Sequence, residues 1–595
     1  MQRGPKLWMP TKLTSVATTR RGNASFPSSL PFFLKSRVWQ FIFVQLTFRS
    51  NLKPHNQSRN HPSSIRMGNV FALRLASLST RCSPCQNRST STSTSSIINS
   101  TQAPLSTQEI ASSSSSSSSA ALNLLSSFSP PSSAYVHLPF CRRRCFYCDF
   151  PVVAVGERSE ASKPYYDSTM LNYVDLVCRE ISATARGSPG GPLNTIFFGG
   201  GTPSLLPPYL LHRILDCLQS NFGLSSQMEI SIEMDPGTFN GASLSELIDY
   251  GVNRVSVGVQ SFNEKLLKAC GRAHSLKDVY DAIEIIHSSS LDHWSLDLIA
   301  SLPFLTPDLW MHSLTEAVEA SPTHISVYDL QIEEGTKFGK WYASGQHPLP
   351  CEDDSAEFYR TASRKLREGG YDHYEVSNYA KTGYQCKHNL VYWRNLPYYA
   401  FGLGSTSYVE RRRFSRPRKM KAYAAFVDDF EKAEGKVDFP EDSIEERILD
   451  TIMLSLRLAQ GLNLREFAQL YGRSVTVAFC RGLQQFVESG HVKLLDIDGK
   501  DVGNHECHER HGIQWDVVER REETIYMRSF QTDPEAISCK PLRTKIASDW
   551  QALFGQDLPS FLKPDTVFVR LSDPEGFLLS NEIISSLFSA MSIVK

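Results

Sequence analysis

The stretch Cys141-Arg142-Arg143-Arg144-Cys145-Phe146-Tyr147-Cys148 constrains this chain more than any other. Three thiols spaced three and then two residues apart suit a tight loop that turns its sulfurs toward one centre. A mononuclear zinc site wants a fourth ligand and usually paired C-x2-C knuckles, and no second such pair lies nearby. A [4Fe–4S] cluster tolerates three thiolates when its fourth iron is left to another ligand. Three unrelated buried cysteines are a poor alternative, because Arg142, Arg143 and Arg144 cannot all be buried between them. The loop therefore predicts an iron–sulfur cluster held by Cys141, Cys145 and Cys148. It follows the apolar run 134–140, which reads as a strand.

From residue 133 onward, apolar strand-like runs alternate with amphipathic helical patterns. Strands are predicted at 134–137, 195–198, 228–233, 254–259, 294–298 and 324–330, with helices at 166–185, 209–219 and 276–287 between them. Six βα repeats predict an α/β fold, a parallel sheet curled into a partial TIM-like (βα)6 barrel with its chemistry at the carboxyl ends of the strands. The second strand runs into Gly199-Gly200-Gly201-Thr202-Pro203-Ser204. Glycines there let backbone approach a ligand and leave N–H groups free to bind a carboxylate or an amine-bearing molecule. Later strand ends carry single polar residues, Glu233, Gln260, Arg272 and Asp297. Each alone is more often a structural hydrogen-bonding residue than a ligand.

Together these motifs resemble the radical S-adenosylmethionine (SAM) superfamily, in its anaerobic coproporphyrinogen III oxidase-like group. The resemblance covers about 134–490 and 566–595 and is dense in the first span. It implies that three cysteines hold three irons of a [4Fe–4S] cluster while SAM chelates the fourth through its amino and carboxylate groups. It places Gly200, Gly201 and Thr202 at the amino group of SAM. Glu233, Gln260 and Arg272 then fall at its methionyl or ribose part and Asp297 at its nucleoside. Tyr135 and Tyr147 resemble residues that flank this pocket. His137, Asp149 and His274 lie close by and are read as supporting residues.

The first 130 residues differ in kind. No Asp or Glu precedes Glu109, Arg and Lys recur from Arg3 to Arg88, and an unbroken serine run spans Ser112 to Ser119. A basic, Ser-rich, acid-free leader is the composition of an organelle transit peptide followed by a disordered spacer. Mitochondrial and plastid leaders share it, and the mitochondrion is the expected destination, with the chloroplast as alternative. The apolar patch 38–48 is too short to span a bilayer, which needs about 20 residues, and no later segment reads as transmembrane. Cys82 and Cys85, alone among serines, read as incidental. Thirteen cysteines, three of them committed to a cluster, point to a reducing compartment rather than to a disulfide scaffold. Lys plus Arg and Asp plus Glu both number 62, which argues neither for nor against a polyanionic partner; no nucleic acid is expected.

After the barrel core (131–380) comes a connecting segment (381–435) with Cys386-Lys387-His388-Asn389-Leu390-Val391-Tyr392-Trp393. A histidine beside two large aromatics binds a porphyrin iron through imidazole while the rings pack on the macrocycle. From chemistry alone a core histidine is the commoner reading. His-Asn-x-x-Tyr-Trp, however, resembles the segment linked to heme binding in the heme-chaperone (HemW) branch of the group. That likeness makes His388 the expected axial ligand and Cys386 its rival. The chain 436–595 reads as a mainly helical carboxyl-terminal domain with helices near 445–458 and 580–590. An irregular insertion at about 496–565 interrupts it, where His505, Cys507, His508 and His511 lack zinc-site spacing.

Two functions of different class share these residues. One is oxygen-independent coproporphyrinogen III dehydrogenase, an enzyme that would cleave SAM and decarboxylate two propionates. The other is a heme chaperone that binds heme and passes it to recipient hemoproteins. The dehydrogenases carry a further cysteine two positions after the third; here Cys148 is followed by Asp149 and Phe150. That position and the His388 motif favour the chaperone without coproporphyrinogen oxidase activity. An electron donor is an implied partner, and analogy with the group implies a homodimer.

Overall fold

The computed structural model describes residues 130–156, 163–436, 440–502, 559, 561–563 and 566–591. The leader with Cys82 and Cys85, and His505, Cys507, His508 and His511 of the insertion, lie outside the described residues.

All six predicted strands are present: β1 (Ser133–Leu138), β2 (Leu193–Gly200), β3 (Leu224–Met234), β4 (Arg254–Gln260), β5 (Trp294–Ala300) and β6 (His324–Asp329). Each is followed by a helix: α1 (Lys163–Gly187), α2 (Pro208–Phe222), α3 (Gly241–Asp249), α4 (Leu276–His287), α5 (Pro307–Glu319) and α6 (Glu352–Glu368). Helix starts are marked by the expected chemistry. Asn240 and Ser275 close capping boxes on α3 and α4, and Thr306 caps α5 ahead of Pro307.

The strand alternation decides which face meets what. One set (Ala134, Val136, Ile196, Phe198, Ile232, Val255, Val257, Leu296, Leu298, Ile325 and Val327) packs into the main apolar core. The intervening positions are Tyr135 and Phe197, and then the polar Ser231, Glu233, Arg254, Ser256, Ser295, Asp297, His324 and Ser326. Successive side chains of a strand point to opposite faces, so these polar residues share the face away from that core. The parallel register sets Ser231 beside Arg254, Glu233 beside Ser256, and Ser256 beside Ser295.

Three short strands extend the sheet beyond the predicted six. They are β7 (Asp372–Glu375), β8 (Asn378–Ala380) and β9 (Tyr399–Phe401), and the order across the sheet is β9-β1-β2-β3-β4-β5-β6-β8-β7. β9 pairs parallel to β1, while β8 is antiparallel to both β6 and β7. Between β8 and β9 runs α7 (Lys387–Trp393), carrying the His-Asn-x-x-Tyr-Trp motif. Its residues Val391 and Tyr392 pack with Tyr135 and Phe197 from β1 and β2, so this segment covers part of the polar face. Glu229 of β3 fixes it there, accepting from the backbone N–H groups of Lys387 and His388, each at 3.2 Å.

The carboxyl-terminal part contains the predicted helices, as Ile444–Ser455 and Ser580–Met591. It also contains a three-stranded antiparallel sheet built from Leu462–Asn463, Phe568–Leu571 and Val492–Leu495. Strands this short carry too little alternation to read in sequence. Asp573 ties this part to the core, meeting His373 Nδ1 of β7 at 2.9 Å and Arg367 of α6 at 2.7 Å. Among the described residues no helix is long and apolar enough to cross a membrane.

Candidate cluster and cofactor cleft

At the carboxyl ends of the strands the polar face opens into a cleft of about 340 Å³. Cys141, Cys145, Cys148, Tyr135, Tyr147, Gly200, Gly201, Thr202, Glu233, Gln260, Arg272 and Asp297 all line it. Of the residues singled out in the sequence, the barrel set is thus brought together; His388 is not on the wall.

The cysteine loop is held by the chain itself. Phe146 N donates to Cys270 O at 3.0 Å, Phe338 N donates to Phe146 O at 2.9 Å, and Val155 N donates to Cys141 O at 2.8 Å. Donors also reach the sulfurs. Thr202 Oγ1 lies 3.6 Å from Cys141 Sγ, and Arg272 Nη1 lies 3.4 Å from Cys145 Sγ and 3.1 Å from Tyr147 Oη. Arg272 also bonds Gly258 O at 3.0 Å and is paired with Asp235. Its guanidinium therefore braces the cysteine loop against β4. Burial pushes the Cys141 thiol up to about 12 and the Cys148 thiol up to about 11. Both stay protonated until a metal displaces the proton.

The glycines serve a different end from the one their spacing implies. Gly201 N donates to Leu138 O and Thr202 N to Phe140 O, and Gly200 N donates to Glu233 Oε2 at 2.9 Å. The expectation of free N–H groups for a ligand is therefore corrected: these three are taken by β1, its exit and Glu233. What glycine permits is close packing. A Cβ on Gly200, at φ +115°, would stand 2.5 Å from the His137 ring, and one on Gly201 would stand 2.7 Å from the Pro139 backbone. The turn presses against the residues that lead into Cys141.

The remaining strand-end groups face the cavity. Burial pushes the Glu233 carboxyl up to about 7, with the Asp297 carboxylate adding to it and the Gly200 N–H opposing. Burial also raises Asp297, which accepts from Ser256 Oγ at 3.1 and 3.0 Å and from Ser295 Oγ at 3.3 Å. Gln260 sits at a register break in β4 with φ 67°. A bulge of this kind re-aims a side chain beside a functional site. Its Oε1 is buried without a hydrogen-bond partner, as is Arg272 Nε.

His388 lies behind this wall, 1% exposed. Its Nδ1 meets Thr195 Oγ1 at 2.7 Å and its Nε2 meets Tyr392 Oη at 2.8 Å, and its ring stacks on Phe197 at 5.3 Å. Burial pushes its pKa down to about 3, with Arg254 contributing, so the ring is neutral. Tyr392, not His388, reaches the cleft. Cys386 is fully buried, its thiol 3.7 Å from Glu229 Oε1.

Sequence reasoning missed Asp235, Ser256 and Arg418, all of which line the cleft. Asp235 lies two residues after Glu233 and was available as the second acid of Glu-Met-Asp-Pro. Arg418 pairs with Asp149 at 3.2 Å from 269 residues away, which no local pattern discloses.

The profile of the Radical SAM superfamily matches residues 135–316, and that of the HemN C-terminal domain matches 443–497. The solved structure of coproporphyrinogen III oxidase (HemN) from Escherichia coli superposes with a TM-score of 0.52 at 21% identity, covering 61% of this chain and 85% of that one. At that identity the likeness speaks for the fold. The heme chaperone HemW of Synechocystis is 45% identical over 371 residues, which is 62% of this chain and 88% of that protein. The chain belongs to the HemW family. The HemW of Bacillus subtilis is 34% identical over 97% of its length, and a mitochondrial radical SAM domain-containing protein 1 of Danio rerio is 33% identical over 61% of its length.

Membership in this radical SAM family implies a [4Fe–4S] cluster and SAM, and the residues present fit both. A cluster spreads three protein sulfurs over three irons, farther apart than the ligands of one ion. Three free thiols with donors aimed at two of them suit thiolate ligation. The orphaned Gln260 and Arg272 atoms and the two carboxyls suit a cationic, polar co-ligand.

Proposed function

We propose that the protein binds heme and transfers it to hemoproteins, with a [4Fe–4S] cluster on Cys141, Cys145 and Cys148 and SAM in the adjoining cleft. The observation that carries this reading is the 45% identity to a heme chaperone over 88% of that protein's length. The residue two after Cys148 supports it: where the dehydrogenases carry a further cysteine, this chain has Phe150, on the cleft wall. The cluster supplies one-electron reduction when bound. The chain's own part is to hold SAM: Glu233 and Asp297 offer carboxyls to its positive groups, Gln260 and Arg272 offer the unpartnered polar atoms, and Tyr135 and Tyr147 shape the walls.

In this reading His388 would be the residue that binds the heme iron through its imidazole. Both its ring nitrogens are engaged, so coordination requires Tyr392 to turn away and give Nε2 to the cleft. Heme titration of the purified protein should give a Soret shift, and His388→Ala should weaken binding about tenfold or more, about 1.4 kcal/mol. Anaerobic incubation with SAM, a reductant and coproporphyrinogen III should yield no decarboxylated product. Turnover of that substrate would replace the chaperone reading with the dehydrogenase one.

A pH dependence follows from Glu233. Its carboxyl, at about 7 in the ligand-free protein, is neutral below that pH and anionic above it. A cationic ligand favours the anion, so SAM affinity should fall as pH drops through about 7, by up to about tenfold per unit. Glu233→Gln should flatten the profile; an unchanged slope in that variant would remove Glu233 from the SAM site.

For destination, the proposed compartment is the mitochondrion, in line with the mitochondrial relative from Danio rerio. The greater identity to the cyanobacterial HemW favours the plastid as a second reading. Import of the full chain into isolated organelles of each kind decides between them.

A further inference from the structure

Away from the cleft-lining residues, α1 and α2 pack side by side, and Cys178 of α1 meets Cys217 of α2. Both are free, part-exposed thiols. Cys217 Sγ lies 3.5 Å from the carbonyl oxygen of Cys178, and Cys178 Sγ lies 4.0 Å from that of Arg213. Ser182 Oγ at 3.8 Å and Asn221 Nδ2 at 3.6 Å converge on Cys217 Sγ. The charged groups facing the pair are Arg213, on α2, and Asp175, on α1, themselves paired at 2.5 Å.

This surrounding treats the two sulfurs unequally. The neighbouring Cys178 thiol, then the hydrogen bonds with Ser182 and Asn221 and the charge of Arg213, lower the Cys217 thiol against burial. The proximity of Cys217 and burial push Cys178 up. One thiol readily becomes a thiolate while its neighbour keeps the proton, which is the arrangement of a nucleophile and a resolving cysteine.

We propose that Cys178 and Cys217 form a thiol–disulfide exchange site that takes a low-molecular-weight disulfide, such as oxidised glutathione, and closes into an intrachain disulfide joining α1 to α2. The Cys217 thiolate attacks one sulfur of the small disulfide, forming a mixed disulfide and expelling one small thiolate, which takes up the proton Cys217 released. Cys178 then gives up its proton and attacks Cys217 Sγ, expelling the second small thiol. Two protein thiols are oxidised, one small disulfide is reduced to two thiols, and protons and electrons balance. The bond would fasten a helix that also holds the cleft wall, since Tyr173 and Glu180 of α1 bond the backbone N–H groups of Leu403 and Gly402.

The test uses the full chain, anaerobic and with its cluster reconstituted, incubated with oxidised glutathione, alkylated and digested without reduction for mass spectrometry. The expected product is a peptide pair crosslinked through Cys178 and Cys217 that disappears on reduction. Cys178→Ser should arrest the reaction as a glutathione adduct on Cys217, whereas Cys217→Ser should leave Cys178 largely unmodified. Cys351 is exposed, and its adduct reports that glutathione has reached the protein. Labelling of Cys351 without the crosslink, or equal labelling of Cys178 and Cys217 in the two single variants, would overturn the proposal.

Discussion

Replacing any one of Cys141, Cys145 and Cys148 by alanine should remove the iron–sulfur absorbance and EPR signal of anaerobically reconstituted protein, while the chain stays folded. The first half follows from the cleft. The three thiols line one cavity, and in the proposed cluster each would hold a separate iron, so a single loss would leave an iron without protein support. The second half follows from the loop, whose path is set by backbone bonds from Phe146 to Cys270, Val155 to Cys141 and Phe338 to Phe146. None of these uses a sulfur. Gly271 also packs so closely under Phe146 that its Cβ would meet that ring at 2.6 Å. The melting temperatures of the metal-free variants should therefore stay within a few degrees of the metal-free parent, since about 1 kcal/mol moves a domain of this size by about 2–4 °C. Cys270 provides the contrast. It neighbours Cys145 but is 1% exposed and does not line the cleft, so Cys270→Ser should retain the cluster. A signal that survives the loss of Cys141, Cys145 or Cys148 would end the cluster assignment.

The six core strands were legible because each alternates between an apolar residue for the helices and a small or polar residue for the other face. Glu233 and Asp297 read as strand-end polar groups, and the parallel register sets Ser231, Ser256 and Ser295 on the same surface. The cysteine loop was legible for a different reason: its spacing is local, so its geometry needs no distant partner. What escaped was set by contacts far apart in sequence. The segment around His388 reads as a ligand-bearing stretch, yet Glu229 and Thr195, 159 and 193 residues earlier, hold its backbone and its ring. Two N–H groups of the glycine turn looked free because their acceptors, Leu138 of β1 and Phe140 at its exit, lie far upstream in the sequence. Edge strands of three or four residues give no period to detect. Local chemistry was readable, and long-range polar pairing was not.

Glu180→Ala should be the most destabilising of the substitutions considered, for such a long-range pair. Glu180 on α1 and Arg416, 236 residues later, are both wholly excluded from solvent. Arg416 Nε donates to Glu180 Oε1 at 2.6 Å, while Tyr423 Oη at 2.6 Å and Gly402 N at 2.9 Å donate to Oε2. Removing the carboxylate leaves a buried guanidinium whose other bonds are to Ser407 Oγ at 2.8 Å and Phe414 O at 3.3 Å, with Nη2 already unpartnered. An uncompensated buried charge of this kind costs about 3–5 kcal/mol, which lowers the melting temperature by about 10 °C. Glu180→Gln keeps acceptors for Gly402 and Tyr423 but not the charge, and should fall between parent and alanine variant. Adding Arg416→Met to Glu180→Gln should recover part of the loss, because the pair is then removed together. The damage should also reach the cleft. Gly402 begins the turn that carries Gly404, Ser405 and Thr406 to the cleft wall, and Tyr173 Oη joins that turn to β1 through Leu403 N and His137 O. SAM binding by Glu180→Gln at a temperature where it remains folded should therefore weaken. An alanine variant that melts within a degree of the parent would show that the turn is held by Tyr173 alone.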